Sequence, residues 1–582
     1  MTAASAPSLE PAHLGRGRTL PELWRAALDE GRSTPAYLEE RGQTWEPVTW
    51  EEASRRIDEL ANGLLARGIR KGDAVAILSR TRLEWALLDW AITSIGAVTV
   101  GLYPTSSASE CAYILAHSEA ILLLAEDDEQ LAKIAGVRDE APQVREVVSF
   151  DELDALSEAG RAHAREHPTA LETARGKVGE DDLATLIYTS GTTGPPKGCM
   201  LTHRNCVAAA TRVDRAITQA GDVLLLFLPL AHSFGRLVLE SGAFHGFAIA
   251  FCTEATAVPR ALEVVRPTVL PAVPRLYEKI HTGVLSQLDE THGLKRRIGD
   301  WALRVGARSA KLRREGRPVP AALRIQAELA DRLVFAKIRK RLGGRMRVAI
   351  SGAAPLAPEV LEFFDVIGLT VVEGYGLSET MGSCSVNHPD DRRIGTVGRV
   401  LLGSEVRIEP DGEVLIRSDS VFAGYYKDDQ GTREALTDDG WLRTGDVGDL
   451  DEDGFLRITD RKKDLIITAG GKNIAPQNLE NALKTSRFVS HAVVVGDRRP
   501  YVSALVTVDA DEVAKSGRTA DELVQEAVDG VNRDLARAEQ IKRFVVLPRD
   551  FTQEDGELTA TLKLKRRVVN EHFAAEIEQL YS

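Results

Sequence analysis

A chain of 582 residues exceeds what one ordinary hydrophobic core supports and calls for several domains or subdomains. Its 43% hydrophobic and 27% charged content excludes a disordered or collagen-like polymer. Lys and Arg number 73 against 86 Asp and Glu, and the net charge of −13 excludes nucleic acid as the main partner unless cations cluster locally.

From the N-terminus, MTAASAPSLEPAHLGRGRT lacks the apolar core of a secretory signal, so the expectation is a protein that is not exported and works in the cytoplasm. Ala53, Ile57, Leu60, Ala61, Leu64 and Leu65 fall at helical spacing, and Gly68 and Gly72-Asp73 stop that helix before a strand at Ala74–Leu78. The most apolar stretch, Trp90 to Leu102, is shorter than the roughly 20 residues that span a bilayer and is expected to be a buried helix running into a strand. Further β-branched runs at Val98–Tyr103, Ile121–Ala125, Thr185–Thr189, Val223–Leu228, Phe247–Phe251, Thr268–Val273 and Arg347–Ile350 alternate with helical patterns. That alternation predicts layered α/β structure around buried, mostly parallel sheets. Near Gly403 the character changes: Glu405–Glu409 and Glu413–Arg417 flank Pro410-Asp411-Gly412, which predicts an antiparallel hairpin. After the polar run Asp460–Asp464 a smaller α/β pattern continues to Ser582. The boundary is set at Asp460/Arg461, giving a large domain 1–460 with a small antiparallel β subdomain and an α+β domain 461–582. Cys111, Cys199, Cys206, Cys252 and Cys384 show no C-x-x-C spacing, so neither a disulfide framework nor a zinc site is expected and a reducing compartment is.

The most informative segment is Tyr188-Thr-Ser-Gly-Thr-Thr-Gly-Pro-Pro-Lys-Gly198, directly after the apolar run Leu183–Ile187. Glycines let backbone approach a polyphosphate, successive N–H groups can form an anion nest, and Lys197 adds a point charge. The chemistry suits the β- and γ-phosphates of ATP, with Thr189, Ser190, Gly191, Thr192, Thr193 and Gly194 as the cradle. A surface turn is the plain alternative. A Walker A loop fits less well, because Gly198 follows Lys197 where that motif needs Ser or Thr.

This string resembles the signature of the adenylate-forming superfamily, which comprises acyl-CoA synthetases, peptide-synthetase adenylation domains and luciferases. The similarity extends to Leu228-Pro-Leu-Ala-His232-Ser-Phe234, Ser351-Gly-Ala-Ala-Pro355, Glu373-Gly-Tyr-Gly-Leu-Ser-Glu-Thr380, Trp441-Leu-Arg-Thr-Gly-Asp446, Asp460-Arg-Lys-Lys-Asp464 and a C-terminal lysine, in family order. The resemblance implies ATP, Mg²⁺ and a carboxylic acid as reactants, with the C-terminal domain mobile about a hinge. It implies that Lys197, Glu379 and Lys563 are catalytic and that Glu379 is the Mg²⁺ carboxylate. It assigns Ser378 to the phosphates, Gly352, Ala353, Ala354, Gly374 and Tyr375 to the adenine pocket, and Glu373 to ATP/AMP binding. Asp446, assisted by Arg461, would hold the ribose, and His232 would shape the acyl pocket without acting as a general base. Lys463 would be the hinge, and Gly470 and Gly471 would line the passage for pantetheine after rotation. Leu562 stands where the family often has glycine before the lysine, and Lys563 is preferred over Lys565.

Segment 295–347 is rich in cations, with Leu333, Val334, Ile338 and Leu342 at helical spacing. This basic insertion resembles that of long-chain fatty acyl-CoA synthetases. It could face an anionic membrane surface, the phosphates of CoA, or simply solvent. The expectation is a long-chain fatty acid–CoA ligase. The alternatives are a fatty acyl-AMP ligase loading a carrier protein, a non-catalytic nucleotide-binding protein and a P-loop kinase. Chain-length preference and oligomeric state, a homodimer included, stay open.

Overall fold

The computed structural model describes residues 17–189, 195–533, 535–559 and 563–582. Two sheets dominate the larger part of the chain. In the first, Glu146–Ser149, Leu122–Ala125, Ala74–Leu78, Val98–Leu102 and Leu183–Thr189 run parallel in that spatial order, and Lys197–Thr202 and Gly424–Tyr425 extend the edge antiparallel. In the second, Thr370–Tyr375, Val348–Ser351, Val269–Ala272, Val223–Leu226, Ala248–Phe251 and Tyr37–Arg41 form a parallel core. Strands Ala74–Leu78 and Val98–Leu102 are buried along their whole length, as strands covered on both faces must be.

Helix formation follows local chemistry. Trp50–Ala66 starts where the Thr49 side chain accepts the Glu52 amide, and its first turn carries Glu51 and Glu52. Its apolar stripe of Ala53, Ile57, Leu60, Ala61, Leu64 and Leu65 is buried as the spacing predicts. Helix Leu83–Ser94 is buried on almost every side and leads through Gly96, at φ +72°, into the strand Val98–Leu102. It shares one continuous apolar core with helices His203–Thr211 and Ser233–His245 and with strands of both sheets. That core fixes the spacing between the two sheets.

Inside this layer lies a charged cluster. The Arg236 guanidinium donates to Asp89 Oδ1 at 2.8 Å and to Thr185 Oγ1 at 2.8 Å, with Glu240 Oε1 3.8 Å away. All three ionisable side chains are almost wholly buried. Burial pushes the Glu240 carboxyl up to about 8 against the opposing pull of Arg236.

The expected hairpin is present as Ser404–Ile408 against Glu413–Ser418, with Val406 opposite Ile416, and it joins Leu442–Leu450 and Leu456–Arg461 in a four-stranded antiparallel sheet. Beyond it, Val489–Val495 and Val502–Val508 pair antiparallel, and Ile541–Val546 adds parallel. Helices Pro476–Leu483 and Ala520–Asn532 contribute Leu479, Leu483, Val524 and Val528 to the separate core of this part. The strand Thr370–Tyr375 and the hairpin Tyr37–Arg41 with Thr44–Val48 are additional to the strands legible in the sequence. All five cysteines are free and buried.

The basic segment is helical, as Gly293–Arg314, Ala321–Ala330 and Ala336–Arg341, with one departure from the expected pattern. Residues Asp331–Phe335 form a π turn, so Phe335 is buried while Leu333 stands 41% exposed. No described helix is long and apolar enough to cross a membrane.

Candidate active site

A single cavity of about 2120 Å³ opens between the ends of the two large sheets, the small antiparallel sheet and the C-terminal part. Thr189, Lys197, His232, Gly352, Ala353, Ala354, Glu373, Gly374, Tyr375, Ser378, Glu379, Asp446, Arg461, Lys463 and Lys563 all line it. Ser190, Gly191, Thr192, Thr193 and Gly194 lie outside the described residues.

The two limbs of the Gly/Thr-rich loop are clamped by an antiparallel ladder, Tyr188 opposite Gly198 and Thr189 opposite Lys197. A Cβ on Gly198 would stand 3.1 Å from the Tyr188 ring, which explains that glycine by packing. Lys197 Nζ lies 2.7 Å from Asp428 Oδ2 and 4.9 Å from the centre of the Tyr425 ring. The hydrogen bond from Lys197, joined by the Gly431 amide, holds the Asp428 carboxyl below its ordinary range.

Glu379 sits on the 3₁₀ turn Ser378–Thr380, and its Oε1 accepts a 2.7 Å hydrogen bond from the Tyr425 hydroxyl. Burial, and then the Glu379 charge, push the Tyr425 hydroxyl well above its ordinary range, so it stays a donor at any working pH. Oε2 accepts no hydrogen bond from a described residue. Among the described residues no group of three or more His, Cys, Asp or Glu is arranged to hold a metal ion. A single carboxylate that lines the cavity, its second oxygen taking no donor from a described residue, still fits Mg²⁺, which keeps most of its waters and takes one or two protein carboxylates.

Asp446 and Arg461 are directly opposed on neighbouring antiparallel strands. Arg461 Nε lies 2.8 Å from Asp446 Oδ1, and the Tyr375 hydroxyl donates to Oδ2 at 2.6 Å. Burial raises the Asp446 carboxyl, while Arg461 and Tyr375 pull it back. Each oxygen keeps a second lone pair for a further donor. Glu373 is 7% exposed, accepts the Leu356 amide at 3.2 Å and is pushed by burial up to about 7. In this position it braces the Gly352–Pro355 segment. Ala353 there adopts φ +70°, a left-handed conformation that costs a non-glycine residue on the order of 1–3 kcal/mol and belongs to strained sites. Gly376 has no alternative, because a Cβ would meet the Gly382 carbonyl carbon at 2.2 Å.

His232 caps the helix Ser233–His245, its Nδ1 accepting the Phe234 amide at 3.1 Å. Burial first, and the Lys563 charge second, push its imidazole down to about 3. It is a neutral wall at physiological pH and cannot act there as a general acid.

Lys563 is tied to Thr559 by reciprocal bonds, Lys563 N to Thr559 Oγ1 at 3.0 Å and Thr559 N to Lys563 O at 2.8 Å. Its side chain is exposed within the cleft yet surrounded by protein. Desolvation and the Arg461 charge lower its ammonium, and Glu379 and Asp446 oppose them. Lys463 is lowered for the same reasons, burial and then Arg461. The turn Gly470-Gly471 is exposed, joins Ile466–Ile467 to Asn473–Ile474 and does not line the cavity in this arrangement.

One arm of the cavity is apolar. It follows the helix Ser233–His245 past Phe234, Leu237 and Val238 to Ser241 and reaches Val213, Ile217, Leu224 and Phe247 between that helix and the second sheet. From Ser233 to Ser241 is about 12 Å at 1.5 Å per residue.

The C-terminal part is held over the cleft by contacts that carry no local sequence signal. Arg487 Nη1 lies 2.9 Å from Asp289 Oδ2, Lys484 Nζ lies 3.5 Å from Glu278 Oε1, Ser286 donates to Glu512 at 3.1 Å, and Asn481 donates to the Pro355 carbonyl at 3.4 Å. Tyr425 and Asp428 are likewise site residues that sequence reasoning missed. Both lie in the run Gly424-Tyr-Tyr-Lys-Asp428, which carries no spacing that points to Glu379 or Lys197.

Comparison with known proteins gives a consistent result. Residues 24–426 match the AMP-binding enzyme family, and residues 463–582 match the AMP-binding enzyme C-terminal domain. The long-chain-fatty-acid–CoA ligase FadD15 of Mycobacterium bovis is 42% identical over 92% of this chain and 93% of its own. Human long-chain-fatty-acid–CoA ligase ACSBG2 is 30% identical over 97% of this chain and 92% of its own. Among solved structures, the adenylation domain of a carboxylate reductase from Mycobacterium chelonae superposes with a TM-score of 0.76 at 26% identity, covering 99% of this chain and 92% of that one. With a family match that takes in most of its length, this chain belongs to the AMP-binding enzyme family.

Proposed function

We propose that the chain is an AMP-forming long-chain fatty acid–CoA ligase. The observation that carries this reading is the convergence of Lys563, Arg461, Asp446, Glu379 and neutral His232 on one cavity with an apolar arm. The relatives named as long-chain ligases support the acyl class.

In the first half-reaction a fatty carboxylate oxygen bonds to the α-phosphorus of ATP and the bond to pyrophosphate breaks. Lys563 bridges the attacking carboxylate and the α-phosphate, where charge accumulates, and Lys197 with the Gly/Thr-rich loop holds the leaving phosphates. Glu379 would hold Mg²⁺, which when bound neutralises phosphate charge. Tyr425 positions Glu379 through its hydroxyl. Ser378 faces the phosphates, Tyr375 stacks on adenine beside Gly352–Ala354 and Gly374, and Asp446 accepts the ribose hydroxyls with Arg461 beside it. In the second half-reaction the thiol of CoA bonds to the acyl carbon and AMP departs. Domain 461–582 turns about Lys463, carrying Lys563 out and the Gly470-Gly471 turn in, because the two attacks need different groups at one carbon.

Incubation with ATP, Mg²⁺, CoA and palmitate tests the reading: AMP, pyrophosphate and palmitoyl thioester are expected, and formation of ADP overturns it. Failure with free CoA but success with a carrier protein would reassign the acceptor.

A further inference from the structure

Six large hydrophobic side chains stand exposed among the described residues, and four of them, Leu294, Ile325, Leu329 and Leu333, belong to the basic helical segment. Ile325 is 65% exposed and Leu329 48%, so this is an outward row rather than the edge of a core. From Ile325 through Leu329 to Leu333 the spacing is four residues. On a helix of 3.6 residues per turn such a row drifts by about 40° per step. The π turn Asp331–Phe335 widens the helix where the drift would accumulate, which keeps Leu333 outside and turns Phe335 into the core. Lys337, four residues further on, is exposed as well.

Charge accompanies the row. Residues 321–345 hold seven cations against two acids in a chain whose net charge is −13. Some cations of the wider segment are neutralised at home: Arg339 pairs with Asp331, and Arg314 with Glu362 and Asp365. Arg324, Arg332, Lys337, Lys340 and Arg345 are exposed and have no acidic partner among the described residues.

Aliphatic side chains in a row, flanked by unpaired cations, match the chemistry of an anionic lipid–water interface. A two-fold contact with a second copy would set these cations against themselves. A nucleic acid would leave the aliphatic row facing water. We propose that the outer face of Ala321–Arg341 docks on an anionic phospholipid bilayer, with Ile325, Leu329 and Leu333 entering the acyl boundary and Arg332, Lys337 and Lys340 meeting headgroup phosphates. The cleft is built from other elements, so docking and turnover are separable.

Sedimentation of the full chain with phosphatidylcholine vesicles containing or lacking phosphatidylglycerol tests this. Binding to the anionic vesicles is expected, weaker at high salt. I325S/L329S/L333S should weaken it about tenfold or more, and R332E/K337E/K340E should abolish the preference for phosphatidylglycerol. Turnover of a short, water-soluble acid by both variants reports that they are folded. Wild-type protein that stays in the supernatant, equal binding by the serine variant, or concentration-dependent self-association lost in that variant would each overturn the proposal. Vesicle binding without any ligase activity would instead reject the function proposed above and leave this surface standing.

Discussion

Replacing Tyr425 with Phe removes one oxygen and little else. The ring that lies 4.9 Å from Lys197 Nζ, and 4.8 Å from the Phe422 ring, remains in place. What is lost is the 2.7 Å hydrogen bond to Glu379 Oε1. A hydrogen bond to a charged group contributes about 1.5–3 kcal/mol. Tyr425 is only partly buried and water can enter the cleft, so the low end applies, equivalent to about tenfold in rate. ATP–pyrophosphate exchange measured against Mg²⁺ concentration checks this. For Tyr425→Phe, kcat/KM for adenylation should fall about tenfold at limiting Mg²⁺ and partly recover at saturating Mg²⁺. Thioester formation from supplied acyl-AMP and CoA should hardly change. A purely structural role would lower both half-reactions together and show no dependence on Mg²⁺. Unaltered exchange across the whole Mg²⁺ range would refute the positioning role.

Lys563→Ala should reduce pyrophosphate exchange by about 10²–10³, the cost of removing one preorganised donor to developing charge, and spare thioester formation from acyl-AMP; equal loss of both steps would show the wrong lysine was chosen. For the interdomain contacts, Arg487→Ala with Lys484→Ala removes two partly exposed ion pairs worth about 0–1 kcal/mol each, so adenylation should drop by no more than about thirtyfold while the thioester step holds or improves, which single-turnover assays of each step will separate. Glu240 gives a pH prediction. Its folded carboxyl is raised to about 8 while an unfolded one titrates in the ordinary range, so between those values the folded state holds the extra proton and stability falls as pH rises. Denaturant unfolding of Glu240→Gln should show a flatter pH profile across that window, and a profile parallel to wild type would contradict the assignment.

The fold class was legible because it depends on local periodicity: buried parallel strands read as short β-branched runs, and Ala74–Leu78 ends where the sequence places it. The Gly/Thr-rich motif was legible because Gly, Thr and Lys stand together within a few positions. Asp446 and Arg461 were each nameable by resemblance, but their partnership depends on strand register, which puts them opposite each other across a hairpin. Tyr425 and Glu379 are 46 positions apart, and no periodicity links them. The basic segment misled in one respect. A uniform 3.6-residue period turns Leu333 inward, whereas the π turn reverses that assignment and leaves an aliphatic side chain outside.

The sequence also names the groups for two incompatible arrangements without saying which is folded. Lys563 and the Gly470-Gly471 turn are carried by the same small domain, and here Lys563 is in the cleft while the glycines face solvent. Half-buried ion pairs of little individual worth, such as Arg487 with Asp289, bridge the two parts of the chain in this arrangement. Weak contacts suit a domain that leaves the cleft under the proposed mechanism. The buried Arg236–Asp89 pair lies in the static layer beneath the apolar arm, where removing one partner would cost about 3–5 kcal/mol. Strong, dry interactions fix the scaffold, and weak, wet ones hold the part that the proposed two-step reaction would move.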